Sequence, residues 1–416
     1  GLMAFFLEST MVGLFFFGWN RLSKGAHLAV TFLMALGTNL SALWILVANA
    51  WMQYPAGSEF NFVTMRMEMT NFWEVITSPW AQAKFMHTVN GGYMTGAMFV
   101  LAVSAWYLLK GRDTDFAKKS LRIAAVFGLI ASVFTLHMGD ESGYLVTKDQ
   151  PTKIAAMEAV WETHEAPAPM SLFALPDEKN RTNTREISIP WVFGIIGTRS
   201  LSTEIEGINP LVEKAEARII NGQTAVALLE ELRKTPENAN LRKQFEAVKD
   251  DLGYGLLLKK YTADVTKATP EQISAAALST VPAVTPMYWS FRAMVGCGLA
   301  CLLVFLIGAV TSLKRTVAGK PWFLRIATLA LPLPWIASEA GWFVAEYGRQ
   351  PWTIYEILPV DLSVSSLSAG EVLASLAGFV ILYAVLFAVE MWLMIRTAKT
   401  GPSTLATGRY FFERRA

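Results

Sequence analysis

The sequence predicts an all-α, polytopic membrane helix bundle, on three observations. Apolar residues (AVILMFWYC) make up 53% of the 416 residues and charged residues 17%, where a soluble domain carries about 25% charged. Seven windows, about 1–20, 26–51, 86–109, 120–139, 286–313, 323–347 and 370–395, hold the roughly 20 mostly apolar residues that a helix needs to cross a bilayer core. Between the fourth and fifth lies a stretch of different composition, about 140–285, rich in Glu, Lys, Thr, Asn and Pro. The chain divides accordingly into 1–139 with four spans, the insertion 140–285, 286–395 with three spans, and a tail 396–416.

Each element follows from local composition. The spans are apolar all round, so they have no single buried face to give a helical period. The insertion holds short amphipathic patterns, such as the run from Gly222 to Leu232, and reads as a folded, water-exposed domain. Gly1 is not an initiator Met, and the apolar run starts at once without a basic segment or cleavage site. That is no signal peptide, and the chain is expected to lack its true beginning.

Basic residues in short connections set the orientation. Arg21 and Lys24 follow span 1; Lys110, Arg112, Lys118, Lys119 and Arg122 follow span 3; Lys314, Arg315, Lys320 and Arg325 follow span 5; Arg396, Lys399, Arg409, Arg414 and Arg415 follow span 7. The opposite connections hold only Arg66, Lys84 and Arg349. The basic side is expected to be cytoplasmic, with the insertion outside and the C-terminus inside.

Counts exclude several classes. A net charge of +2 and two cysteines argue against a charge-driven nucleic-acid binder and a disulfide scaffold. No CxxCH is present, so covalent c-type haem is excluded. The four histidines, His27, His87, His137 and His164, are too few for a haem-copper oxidase core and too scattered for a bis-histidine two-haem cytochrome. Cys297 and Cys301, four apart, read as small packing residues.

Ionisable groups at bilayer depth cost about 2.5–3.5 kcal/mol each on insertion scales, so each needs a reason. His87, at the outer start of span 3, can ligate iron or simply bond a loop. Met294 is one of 17 methionines and reads as packing, unless it pairs with a histidine on a low-spin haem. Gly296 and Gly298 beside it would admit a flat macrocycle. Span 6 places Glu339, Trp342 or Phe343, and Glu346 along one helical stripe; this reads as an ion-pair network with Arg349 or Arg292, as a proton relay, or as an oxygen ligand to iron. Arg349, just past the outer end, suits haem propionates or an interfacial anchor. Glu8 in span 1 and Ser41 and Asn49 in span 2 suggest a wet proton path, or polar contacts between helices.

The chain resembles subunit I of cytochrome bd-type quinol oxidases. The resemblance rests on Phe6-Leu7-Glu8-Ser9-Thr10, Asn39-Leu40-Ser41-Ala42-Leu43-Trp44, Gly139-Asp140-Glu141-Ser142-Gly143, the run Gly253-Tyr254-Gly255-Leu256-Leu257-Leu258-Lys259-Lys260, and above all Gly341-Trp342-Phe343-Val344-Ala345-Glu346-Tyr347-Gly348-Arg349-Gln350-Pro351-Trp352. It covers essentially the whole chain. It implies that His87 and Met294 are axial ligands of low-spin haem b558, that Glu346 ligates high-spin haem b595, and that Trp342 stands between the two high-spin haems. Arg292 and Arg349 match arginines near the haems. Lys153 and Glu158 match residues of the quinol-binding Q loop, and Glu8 and Ser41 match a proton path to the oxygen site.

The resemblance further implies quinol oxidation at the outer face of a bacterial cytoplasmic (inner) membrane, with oxygen reduced to water by protons from inside, so that a voltage forms without pumping. It implies subunit II as partner, with small single-helix subunits as further candidates, quinol and molecular oxygen as substrates, and no nucleic acid. Family members have nine spans; the first two, with the ligand of haem d, are expected upstream of Gly1. Asn20 stands where some relatives carry an acid. A haem-free proton-coupled transporter using Glu8, Glu339 and Glu346 is the competing reading; it predicts broken helices or inverted repeats, and the sequence suggests neither. A purely anchoring subunit would carry three costly membrane-depth carboxylates without return.

Overall fold

The computed structural model describes residues 1–19 and 21–402. Asn20 and residues 403–416, with Arg409, Arg414 and Arg415, lie outside the described residues. The first spans are α1 (Leu2–Phe17) and α2 (Lys24–Gln53), the latter capped by Ser23, whose side chain accepts from the Ala26 amide. A small hairpin, β1 (Ser58–Asn61) and β2 (Arg66–Met69), and the short α3 (Phe72–Thr77) lead to α4 (Pro79–Leu109). Ser78 caps α4 and Pro79 occupies its first turn, where the missing N–H costs nothing. The next span, α5 (Thr114–Asp149), continues ten residues beyond the expected boundary at 139. Its 36 residues make a rod about 54 Å long, so its outer end stands clear of the hydrocarbon.

The insertion begins with α6 (Pro151–Glu158) and a second hairpin, β3 (Met170–Asp177) with β4 (Thr182–Ile189). A π-helical turn, Gly194–Thr198, follows. The run from Gly222 to Leu232 lies inside the longer helix α7 (Ile208–Lys234), which packs against α9 (Leu252–Leu256) and α10 (Pro270–Leu278), with α8 (Ala239–Glu246) beside it. The insertion's core, with Ile219, Phe245 and Leu258, is continuous with Met287 and Tyr288 at the start of α11 (Val284–Leu313). The insertion is therefore welded to the bundle rather than tethered to it.

The sixth span departs from expectation. Instead of one helix over 323–347 there are two, α12 (Pro321–Leu329) and α13 (Leu333–Tyr347). Pro332 and Pro334 explain the break, since a proline inside a helix removes an amide donor and clashes with the preceding turn. A broken helix is thus present although the sequence suggested none; one proline break is local chemistry and does not by itself indicate a transporter. A third hairpin, β5 (Trp352–Ile354) with β6 (Leu358–Pro359), precedes α14 (Ala369–Thr400), whose Ser368 and Glu371 form a capping box.

Among the described residues, five helices (α2, α4, α5, α11 and α14) are long and apolar enough to cross a membrane, where seven spans were expected. The difference lies in α1, with 16 residues, and in the broken sixth span. α5 packs along α4 and α11, and α11 packs on α13. Met98, Leu101, Leu121, Phe305 and Phe323 fill the space between them.

Candidate functional site

Glu346 is the hub of a polar cluster at the C-terminal end of α13. Its Oε2 lies 2.9 Å from Arg349 Nη2, three residues on. Its Oε1 accepts from Asn49 Nδ2 at 2.9 Å and lies 3.9 Å from Lys84 Nζ. Lys84 Nζ also sits 5.1 Å from the centroid of the Trp342 ring, within cation–π range. Gln53, the last residue of α2, donates to the Ala345 carbonyl at 3.0 Å and lies 3.5 Å from Glu346 Oε1. Its own Oε1 accepts from Lys153 Nζ at 2.8 Å and from Gln150 at 3.2 Å. The ion-pair reading of Glu346 is thus realised with Arg349, whereas Glu339 is exposed and stands apart from the cluster.

Lys153 and Glu158 serve different ends of this arrangement. They are five residues apart on α6, about 140° around the helix, and both are buried. Burial pushes the Lys153 ammonium well below its ordinary range, and neighbouring Lys84 adds to this. Glu158 instead meets Arg292 of α11, with contacts of 2.7 and 3.3 Å. Arg292 also donates to the carbonyls of Met157, at 2.9 Å, and Ser171, and lies 4.0 Å from the Tyr288 ring centroid. Burial raises the Glu158 carboxyl's affinity for its proton, and the Arg292 guanidinium opposes that. The two residues matched to one quinol site therefore have separate partners.

His87, on α4, is oriented by its Nδ1, 3.0 Å from the carbonyl of Thr135 on α5. A donor at Nδ1 leaves the Nε2 lone pair free for a metal. Met294, on α11, faces Gly341 of α13 so closely that a Cβ there would stand 2.8 Å from its Sδ. At Gly139 a Cβ would lie 3.2 Å from the His87 ring. Farther along, Gly91 and Gly92 of α4 and Gly296 and Gly298 of α11 border open space.

In the first spans, Glu8 accepts from Thr38 Oγ1 at 3.1 Å. Gly37 makes this possible, because a Cβ there would meet the Glu8 backbone nitrogen at 2.8 Å. Ser41 lies one turn beyond Gly37, half-buried.

A haem, which the resemblance implies, fits this donor set. Arg349 Nε and Nη1 are buried without a partner among the described residues, as is Asn49 Oδ1. Orphaned, buried guanidinium donors call for an anion such as a propionate. An imidazole with a free Nε2 and a thioether are recognised axial ligand types. No cluster of three or more His, Cys, Asp or Glu suited to a bare metal ion occurs among the described residues. Lys84, Gln53 and Gln150 were not expected at this site; as single polar residues near helix ends they carry no periodic signal, and only packing assembles them.

Comparison with known proteins agrees. The chain is 48% identical over 404 residues to the cytochrome bd-II ubiquinol oxidase subunit 1 of Escherichia coli K12, covering 97% of this chain and 79% of that one. It is 32% identical over 401 residues to the cytochrome bd ubiquinol oxidase subunit 1 of Bacillus subtilis 168, covering 96% and 73%. The structure of bd oxidase from Geobacillus thermodenitrificans shares the fold, with a TM-score of 0.68 at 24% identity over 96% of this chain and 77% of that one. The model of the family described as cytochrome bd terminal oxidase subunit I matches residues 1–402. With the family model matching residues 1–402 and relatives at 48% and 32% identity, the chain belongs to the cytochrome bd terminal oxidase subunit I family.

Proposed function

We propose that this chain is the haem-bearing subunit of a multi-pass membrane quinol oxidase, working with a subunit II. The observation that carries the reading is the half-satisfied, buried Arg349 beside Glu346, supported by relatives named as ubiquinol oxidases. When bound, the haems supply one-electron transfer from quinol and the reduction of oxygen to water.

In this reading His87 and Met294 would hold haem b558 and Glu346 would hold haem b595, while the ligand of haem d would lie outside this chain. Arg349 would offer its unpaired donors to a haem carboxylate, and Trp342 would line the oxygen-reducing site. Glu158 takes a proton from quinol at the outer face, because burial makes it a stronger base than an exposed carboxylate. Arg292 holds that carboxylate in place and compensates its charge. Lys153 acts on the Glu346 side, through Gln53, rather than as a second quinol contact. Glu8, with Thr38 and Ser41, passes protons from the inner side to the oxygen site. The insertion faces outward and the C-terminus inward, and small single-helix subunits complete the assembly.

The test is a pyridine haemochrome assay with quinol-driven oxygen uptake on the purified whole oxidase. Stoichiometric b-type haem and oxygen uptake lost in Glu158→Gln are expected. A colourless, well-folded preparation sinks the reading.

A further inference from the structure

Twelve consecutive residues of the insertion, 187–198, carry no charge, between Glu186 and Arg199. They should be the core of a water-exposed domain, and Phe193 is. Their large neighbours are not: Ile187 is 64% exposed, Trp191 63%, Ile195 53% and Ile196 46%, and Leu201, just beyond, 66%. Five large apolar side chains exposed within fifteen residues mark a candidate interaction site.

Its position identifies the partner. The segment runs down the outer extension of α5 toward the membrane. A Cβ on Gly197 would stand 3.4 Å from Thr147 Oγ1. Arg199, two residues on, donates to Asp140 at 3.1 Å and to Glu141 at 2.7 Å, and lies 4.3 Å from the Tyr144 ring centroid. From Thr147 to Asp140 the helix descends about 10 Å. Immediately below are the exposed apolar residues of α5 itself, Leu136, Phe134 and Val133. The headgroup layer on one side of a bilayer is about 5–7 Å thick, so the segment stands at its level. Between these apolar residues and the insertion's own lie only the mutually paired Asp140, Glu141 and Arg199. Arg199 is neutralised by its two carboxylates, and Trp191 supplies the amphipathic ring that favours this layer.

We propose that residues 187–201 lie in the outer leaflet, with Trp191, Ile195, Ile196 and Leu201 among lipid headgroups and upper acyl chains, so that the insertion rests on the membrane through an apolar apron. This goes beyond the oxidase reading and rests only on α5 crossing the bilayer.

The experiment uses the whole oxidase in lipid nanodiscs with a nitroxide on Ile195→Cys, on Leu201→Cys, or on Glu213→Cys, an exposed control in α7. The parent chain, labelled in parallel, corrects for Cys297 and Cys301. Collision rates with oxygen and with a water-soluble nickel chelate are compared. The apron predicts oxygen collisions several-fold above those of the chelate at 195 and 201, with the order reversed at 213. Chelate access at 195 and 201 equal to that at 213 overturns it, because the surface is then in water. Low rates for both reagents overturn it too, because a protein partner then covers the surface. An unchanged visible haem spectrum shows that each variant has folded; loss of haem in the parent would instead count against the oxidase reading.

Discussion

The Arg349 guanidinium lies 2.9 Å from Glu346 through Nη2, yet buries Nε and Nη1 without partners among the described residues. One edge of the planar group is spent on the carboxylate and the rest is open. Removing it leaves Glu346 with Asn49, the more distant Gln53 and Lys84. Losing one partner of a largely desolvated pair destabilises the other. Arg349→Leu should therefore give the lowest haem-to-protein ratio of any substitution at this position. Arg349→Lys should retain part of the haem, since it restores charge but not the fork. Equal haem content in both variants and the parent would remove Arg349 from the site.

Met294 and Gly341 should share a phenotype. Met294→Leu removes the thioether, and the low-spin spectrum and midpoint potential should shift while the high-spin bands persist. Gly341→Ala leaves Met294 in the sequence but places a Cβ 2.8 Å from its Sδ, and should shift the same band in the same direction. Redox titration followed by visible spectroscopy reads both. A shift confined to the high-spin bands would place Met294 elsewhere.

Gln53 is fully engaged, accepting from Lys153 and Gln150 and donating to Ala345. Gln53→Leu keeps most of the volume but leaves the buried Lys153 Nζ with only its longer contact to the Ala345 carbonyl, at 3.2 Å. An unsatisfied buried group costs about 1–3 kcal/mol, more when charged. The variant should lose its haem bands at a lower temperature than the parent. The double variant Gln53→Leu with Lys153→Met should recover much of that loss, because no under-paired ammonium is then left buried. Failure of the second change to rescue would show that Gln53 acts through other contacts.

Glu158 gives a pH signature. Its carboxyl is raised above the ordinary 4.5 by burial, with Arg292 opposing. The folded state then binds the proton more tightly than the unfolded state, so this group stabilises below 4.5 and the contribution is lost as pH rises through the raised value. Glu158→Gln cannot titrate, and the variant's thermal stability should fall less steeply over that interval. Parallel stability profiles for the two proteins would contradict this.

How much of this was legible in the sequence follows from the range of the forces involved. The apolar windows and the insertion were readable in order, and His87, Glu346 and Arg349 stood out in or beside them, because bilayer insertion penalises polar groups locally; Met294 carried no such signal and was singled out only by the family resemblance. The proline break at 330–332 was equally local and was overlooked because the flanking residues are apolar enough to suggest a single span. The partners of Glu346 were not readable. Asn49, Gln53 and Lys84 come from α2 and α4, more than 260 residues away in sequence, and no spacing rule links them.

The sequence alone determined that the chain lives in a membrane, where its charges are costly, and which family it belongs to, since those depend on composition and on residues in fixed local patterns. Only the tertiary structure decided that Lys153 faces Glu346 while Glu158 faces Arg292, and that the uncharged run 187–198 lies along the outer end of α5. Those facts depend on helix rotation and on which elements touch, and they are set by packing of distant segments rather than by any residue's neighbours in the chain.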